Sequence, residues 1–263
     1  MRQARHAPRR LVLAGVLAAV VAFAAGPHVN AVRAVVDRQS RTFTLTDGQS
    51  WSVTAAVATV RVVGDPARRD VRVDVVRRAR TAGDLLRLPF EARESTEGAQ
   101  VWLLQAEGAL DPALRAEVTV TAPATGSHGR MSVVEGGLEV RGYHGRLDAV
   151  VRRGPITAAD VSGTLRLETT IGSLEVSGAR LTPGGLLRLR AFNGDVRLAF
   201  AERPRDARVM ALALNGVIRS AIPLTMKDGW GPRWGEATLG SGEWVVSLDV
   251  VTGQIQIDAP AAR

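Results

Sequence analysis

Acidic residues that recur at fixed distances from a set of glycines are the first candidates for chemistry. Hydrolysis of a glycosidic bond needs two carboxyl groups that face each other across a cleft. If consecutive sequence units lie on neighbouring strands, the acids face arginines instead: Glu168 faces Arg190, Glu175 faces Arg197, and Asp148 lies beside Arg166. Because an arginine lowers the pKa of a neighbouring carboxyl group, such an acid is a poor general acid. The spacing therefore predicts a ladder of surface charge and no catalytic residue.

Histidine and cysteine give no pattern typical of metal or cofactor binding. The four histidines are His6, His28, His128 and His144, and none has the spacing of a metal-ligand pair. The chain has no cysteine, which excludes disulfides, thiolate metal sites and covalent haem attachment. The sequence predicts no cofactor, no metal site and no enzyme activity.

Three tryptophans, Trp230, Trp234 and Trp244, lie close together in a chain that is only 4% aromatic. They fall in the glycine-rich interval between Gly216 and Gly253. Clustered aromatic rings favour a surface that binds a glycan or a protein partner. Alternatively, they cap the open end of a stack of strands, which must be covered to prevent edge pairing. Both interpretations stay open at the level of the sequence.

A repeat centred on five glycines must position these residues: Gly154, Gly172, Gly194, Gly216 and Gly253. Apolar residues occur seven, five and three positions before each glycine, and two and four positions after it. Only Thr169 and Ser220 depart from this pattern. Such alternation predicts strands that bury one side, with the glycines as structural turns between them.

The repeat predicts an all-β fold, specifically a β-solenoid or β-helix of short repeated strands with glycine turns. Successive glycines are 18, 22, 22 and 37 residues apart, which suits the short units of such folds. Conventional hairpins are the rival interpretation, because Asn193-Gly194 and Asn215-Gly216 are also hairpin-turn dipeptides. The recurrence of one register five times favours the solenoid.

The N-terminus has the pattern of an export segment. Residues 2–10 contain four arginines and no acid, and an apolar run of sixteen residues follows from Leu11 to Gly26. Cleavage sites of the A-x-A type end at Ala24 and Ala31. We therefore predict a signal peptide or N-terminal membrane anchor helix over residues 1–31, a polar tether over 32–41 and a β-domain over 42–260. Within that domain, residues 42–128 are irregular and residues 129–260 hold the regular repeats.

The formal net charge of +8 suggests nucleic-acid binding at first sight. Four of those charges, however, precede the first apolar run. The remaining arginines alternate with acids, and no aromatic residues are interleaved with them. The charge pattern therefore indicates solvated strand faces and no nucleic-acid partner.

Residues 42–260 resemble the bacterial putative-adhesin domains, a family of β-strand repeats. The resemblance rests on the units LRLRAFNGDVRL (187–198), VMALALNGVIRS (209–220) and VSLDVVTGQIQI (246–257), and on the segment from Leu239 to Gly242, which is similar to the family's closing motif. Arg153 and Ile171 depart from the family's usual Asn before the glycine. The resemblance implies a β-solenoid domain at the cell envelope, without enzymatic activity.

The expected function is that of a non-catalytic exported protein, an adhesin or interaction scaffold that presents a repetitive β-surface. Its partner would be an unknown protein or glycan at the envelope, or another copy of the chain. The membrane would be contacted only through an uncleaved N-terminal segment, and the expected location is the periplasm, the cell surface or the inner membrane. Two alternatives stay open: a β-helical polysaccharide-processing enzyme, and a membrane-anchored envelope-stress or regulatory sensor domain.

Overall fold

The strands in the part of the chain that the structure describes form one sheet of 17 strands. A computed structural model describes residues 34–106, 113–227, 231–258 and 260. The strands are β1 (Val35–Phe43), β2 (Ser50–Asp65), β3 (Val71–Ala79), β4 (Glu91–Ser95), β5 (Gly98–Leu103), β6 (Arg115–Pro123), β7 (His128–Arg141), β8 (Arg146–Arg153), β9 (Ile156–Ala159), β10 (Thr164–Ile171), β11 (Leu174–Ala179), β12 (Leu186–Asn193), β13 (Val196–Phe200), β14 (Ala207–Ser220), β15 (Thr225–Lys227), β16 (Arg233–Leu239) and β17 (Trp244–Asp258). A four-residue helix, α1 (Ala82–Leu85), follows β3.

Two features at the start of the chain bear on the predicted boundaries. The predicted signal or anchor segment, residues 1–31, lies outside the described residues. The predicted tether, residues 32–41, overlaps strand β1, which pairs antiparallel with β3 from Val35 to Phe43. Alternate residues of β1 are half-buried, so this polar segment has the strand periodicity that its arginines obscure.

The repeated units lie side by side in parallel. β8 pairs with β10, and β10 pairs with β12, so that Leu147, Leu165 and Leu187 share one row. In the same way, β9 pairs with β11, and β11 pairs with β13. The strands before and after each glycine therefore belong to two different parallel ladders, and the hairpin interpretation is wrong.

The predicted β-solenoid is also wrong, because the two ladders join into a closed ring. The first half of β7 pairs with β8 and its second half with β9. At the other end, β17 pairs with both β12 and β13. The ring therefore runs β7, β8, β10, β12, β17, β13, β11, β9 and back to β7, a closed barrel of eight parallel strands. Since β7 and β17 stay extended through Gly136 and Gly253, they close an arrangement that would otherwise be an open stack.

The order of the strands also departs from a simple stack of consecutive units. β17 lies between β12 and β14, although β14 comes first in the sequence. The glycine period cannot reveal this exchange, because β14 and β17 carry the same inward pattern. Outside the ring, β2 pairs with β7, and β5 and β6 pair with β2. Antiparallel strands finish both ends: β1, β3 and β4 at one, β15 and β16 at the other.

The interior of the ring is filled by the apolar residues of the repeat, each at most 3% exposed: Leu147, Ala149, Val151, Ile156, Ala158, Leu165, Leu167, Leu174, Val176, Leu187, Leu189, Ala191, Val196, Leu198, Val246, Leu248, Val250, Ile255 and Ile257. Thr169, which breaks the apolar pattern, is fully buried, and its hydroxyl donates to the carbonyl oxygen of Gly154 at 3.0 Å. Ser220 ends β14, and its hydroxyl donates to the carbonyl of Ile222 at 2.7 Å. Both exceptions thus satisfy their polar groups locally.

Gly172 shows why glycine recurs where the ladders meet. Its φ of 149° lies in a region that side chains with a Cβ rarely adopt. A Cβ built on Gly172 would lie 2.1 Å from the carbonyl oxygen of Gly154 on the neighbouring unit. Gly194 and Gly253 continue this column in the same way, each against the glycine before it, and Gly216 lies against Gly253 with a φ outside that region. The close approach of backbone to backbone therefore requires glycine at these corners.

Candidate functional site

Of the three tryptophans of the predicted binding surface, the structure places Trp234 and Trp244 apart from each other. Trp230 lies outside the described residues. Trp234 pairs with Leu212 of β14, whereas Trp244 pairs with Ala207 of the same strand. Five residues separate these partners, which at a rise of about 3.3 Å per residue is about 16 Å. Ala207 is buried and Leu212 is half-buried, so Trp234 and Trp244 also lie toward opposite sides of the sheet.

Trp234 belongs to the antiparallel strands that cover β14. Its ring lies 5.5 Å from the ammonium nitrogen of Lys227 on β15, the distance of a cation–π contact. β16 pairs with β14 along residues 207–213. Trp234 therefore lies on a strand that pairs with the edge of β14, while Trp244 lies on a strand of the ring.

Trp244 lines a cavity of about 360 Å³. Leu181 and Phe200 add apolar wall, and Arg180, Arg203 and Arg205 add positive charge. The carboxylate of Asp206, which also lines the cavity, accepts hydrogen bonds from the backbone N–H and hydroxyl of Ser241, at 3.0 and 3.2 Å. That carboxylate is occupied in holding the turn before β17.

A concentration of positive charge lies on the outer side of one ladder. The outward positions of β7 (residues 128–134), β8, β10 and β12 carry six arginines and two carboxylates. We call this surface the arginine face; its arginines are Arg130, Arg146, Arg152, Arg166, Arg188 and Arg190. Five of the six are exposed, and Arg190 is half-buried against the ring of Phe192, 4.5 Å away.

Arg166 and Arg188 lie directly opposite each other on neighbouring parallel strands. Like charges in register at about 4.8 Å strand spacing repel and destabilise a sheet. Arg188 has one weak ion pair, 3.9 Å to the carboxylate of Asp249. Among the residues that the structure describes, Arg130 and Arg152 have no ion pair at all. The face therefore holds positive charge that the protein itself does not neutralise.

Asp148 is the anchor of the charge network on this face. Its carboxylate lies 3.1 Å from Arg166, 3.4 Å from Arg146 and 3.1 Å from the ring of His128. Partial burial opposes ionisation, but the hydrogen bonds from Arg166 and His128 and the charge of Arg146 outweigh it, so the pKa of Asp148 is lowered. The carboxylate stays charged at neutral pH and is a poor proton donor.

A shallow depression of about 340 Å³ lies in the middle of the arginine face. Arg130, Arg166, Arg188 and Arg190 line it together with the two carboxylates and Val150, whose side chain is 40% exposed. Guanidinium groups, carboxylates and a small apolar surface thus meet in one place.

The predicted acid–arginine pairs are in register, but only one forms an ion pair. The structure places Glu168 opposite Arg190 and Glu175 opposite Arg197, as predicted. Arg190 stacks on Phe192 instead of meeting Glu168, and Arg197 lies 3.4 Å from Asp258 instead of Glu175. The third predicted pair, Asp148 with Arg166, is formed.

The arginine face itself was missed by the sequence analysis, which compared only some outward positions. Residues eight, six, four and two places before Gly154, Gly172 and Gly194 all point outward. Five of the six arginines occupy these positions. Comparing all four outward positions in the three repeats would have revealed the surplus of arginine.

The remaining candidates for chemistry are held in structural contacts. The ring of His144 lies 3.0 Å from the hydroxyl of Ser162, and His128 contacts Asp148. Within the described ranges, no group of three or more His, Asp or Glu is placed to hold a metal ion. In that same part of the chain, no helix has the length and hydrophobicity needed to cross a membrane.

Comparison with known proteins identifies relatives by fold. No protein-family model and no curated protein matches the chain. A putative cell adhesion protein from Clostridium sporogenes is matched over 85% of this chain and 100% of its own, with a TM-score of 0.50 and 8% identity. A putative adhesin from Bacteroides fragilis (TM-score 0.35, 8% identity, 84% of this chain, 97% of its own) and one from Parabacteroides distasonis (0.28, 9%, 84%, 97%) are also matched. The resemblance to the putative-adhesin family is thereby confirmed at the level of the fold.

Proposed function

We propose that this chain is an exported, non-catalytic protein of the cell envelope that works as an adhesin or interaction scaffold. The fold shared with the putative cell adhesion protein of Clostridium sporogenes supports this proposal. The pattern of an export segment in residues 1–31 supports the envelope location.

The arginine face is the observation that carries the proposal. Parallel strands bound on both sides form a rigid platform, and this platform presents charged side chains that the fold does not use. In an interaction scaffold, such a surface contributes contacts to a partner without any reaction. A polysaccharide-processing enzyme would instead need an acid with a raised pKa opposite a second carboxylate. Here the lowered pKa of Asp148, with Arg130 and Arg166 as its neighbours in the row, favours binding over hydrolysis.

Site-specific crosslinking in cells tests the proposal. A photo-crosslinking amino acid replaces Val150 on the arginine face, and in a matched control it replaces Thr157, which is exposed on the other ladder. We expect the variant at position 150 to capture an envelope component, identified by mass spectrometry, and the variant at position 157 to capture little. Capture of nothing at either position, or retention of the protein in the cytoplasm, would contradict the proposal.

N-terminal sequencing of the protein recovered from the envelope decides how it is held there. A start after Ala24 or Ala31 would establish a cleaved signal peptide. An intact Met1 in the membrane fraction would favour the anchored alternative.

A further inference from the structure

We propose that the depression on the arginine face binds a carboxylated polysaccharide. This inference rests on the proposed function and names the class of ligand that the scaffold would recognise.

The first argument is positive charge that the ion pairs of Arg166 with Asp148 and of Arg188 with Asp249 only partly neutralise. Arg166 and Arg188 are placed in register, where they repel each other. A carboxylate of a ligand between them would remove that repulsion, and guanidinium groups bind carboxylates through two parallel hydrogen bonds. The arginines therefore define an anion site that is completed from outside.

The second argument is spacing. Arg130 and Arg166 flank Asp148 in one row, so they lie two strand spacings apart. That distance is about 9.5 Å, which suits carboxylates on alternating sugars of an extended chain. A polymer lying across the strands would meet Arg130, Arg166 and Arg188 in succession.

The third argument is the mixture of groups in the depression. Glu168 has no ion pair within the described part of the chain, and its carboxylate accepts hydrogen bonds only. Sugar hydroxyls, which lie between the carboxylates of such a polymer, donate hydrogen bonds of this kind. The exposed methyl groups of Val150 offer an apolar contact for the C–H side of a sugar ring.

Nucleic acid is disfavoured by a further feature. Proteins that bind single strands stack bases on exposed aromatic rings. Phe192 is the aromatic residue among the outward positions of this face, and the guanidinium of Arg190 covers it at 4.5 Å. The face offers charge but no free ring for stacking.

Isothermal titration calorimetry with hexagalacturonate tests the inference, using the secreted form of the chain. Neutral maltohexaose, a single-stranded DNA of matched charge and phosphatidylglycerol vesicles serve as comparison ligands. The variant R166Q/R188Q removes the in-register pair, and the matched control R141Q/R197Q removes two exposed arginines from the other ladder. Thermal melting of both variants establishes that they are folded.

We expect the wild type to bind hexagalacturonate more tightly than any comparison ligand, with an affinity that falls as salt is raised. The R166Q/R188Q variant should lose about tenfold or more in affinity, because two charge-assisted contacts are removed, and the control should be nearly unchanged. Failure of the wild type to bind at low salt, equal binding of DNA or vesicles, or an equal loss in the control would overturn the inference. If hexagalacturonate fails while the Val150 crosslink still captures a partner, the inference is wrong and the proposed function stands.

Discussion

The two outer surfaces of the ring are built on the same framework but carry different charge. The arginine face has six arginines and two carboxylates, whereas the outward positions of β7 (residues 139–141), β9, β11 and β13, which we call the opposite face, have two of each. Both share one glycine column and one apolar interior. The surplus of charge on the arginine face therefore does not follow from the framework that the two faces share.

The opposite face shows how this protein balances charge where no surplus is kept. Glu139 lies between Arg61 and Arg141, and their hydrogen bonds hold the pKa of this carboxyl below its ordinary value. Arg197 is paired with Asp258 at 3.4 Å. Both arginines of that face thus have an ion pair within the sheet. By contrast, Arg130 and Arg152 on the arginine face point to solvent without an ion pair to any described residue.

Replacement of Gly172 by alanine should destabilise both faces, because Gly172 lies at the corner where the two ladders meet. The new Cβ would lie 2.1 Å from the backbone oxygen of Gly154, and φ would be strained. We expect the free energy of unfolding, measured by urea denaturation, to fall by about 3 kcal/mol or more. Gly83→Ala is the control, because its nearest neighbour would be 3.7 Å away. A loss below about 1 kcal/mol for Gly172→Ala would show that the ladders are less tightly joined than described.

Raising the pH should lower the free energy of unfolding through Tyr143, which precedes strand β8 of the arginine face. This fully buried residue lies between β7 and β8, and its hydroxyl donates to the carbonyl of Ser127 at 2.8 Å. Burial raises the pKa of Tyr143 to about 12. The folded protein thus keeps a proton that the unfolded chain releases near pH 10, so stability falls as the pH rises from about 10 to about 12.

The expected loss at pH 12 is about 2–3 kcal/mol relative to pH 9. Denaturation of Tyr143→Phe over the same pH range provides the control. The variant should be less stable at neutral pH but should lack this alkaline loss. An identical pH profile in the two proteins would show that another group titrates.

Neutralising the central acid should affect the arginine face more than the opposite face. Asp148→Asn leaves Arg146 and Arg166 beside Arg130, which has no ion pair to a described residue. Glu139→Gln leaves only Arg61 and Arg141 without their partner. At low salt we expect about 1 kcal/mol of destabilisation for Asp148→Asn and about half of that for Glu139→Gln. Both folded pKa values are lowered, so each contribution is present at neutral pH and is lost as the pH falls below about 4. Urea denaturation at two salt concentrations distinguishes them, and equal losses would remove the contrast.

The smallest effects are expected from replacing Arg188, which lies opposite another arginine, and Arg197, which is paired with an acid. Arg188→Gln relieves the repulsion with Arg166 and should stabilise the protein by a few tenths of a kcal/mol at low salt. Arg197→Gln removes the pair with Asp258 and should be neutral or slightly destabilising. The gain for Arg188→Gln should vanish at high salt. Destabilisation by Arg188→Gln would show that its ion pair with Asp249 outweighs the repulsion from Arg166.

The sequence predicted local relations well because alternation and glycine spacing report directly on strand faces. The opposition of Glu168 and Arg190 follows from register alone, and the structure has it. The closure of the ring could not be derived, because an open stack and a closed one bury the same residues. The separation of Trp234 from Trp244 was hidden for a similar reason: nearness in sequence does not tell which strand lies between them.

Because β17 lies between β12 and β14, the barrel can close only late in the synthesis of the chain. β14 emerges during synthesis before β17, and it carries the same inward pattern, so it can compete for the edge of β12. Until residues 244–258 arrive, the ring stays open and its core is incomplete. Pairing between such distant segments is slow. The core of the barrel can therefore be completed only after residues 244–258 have been synthesised, because β17 is the strand that joins β12 to β13.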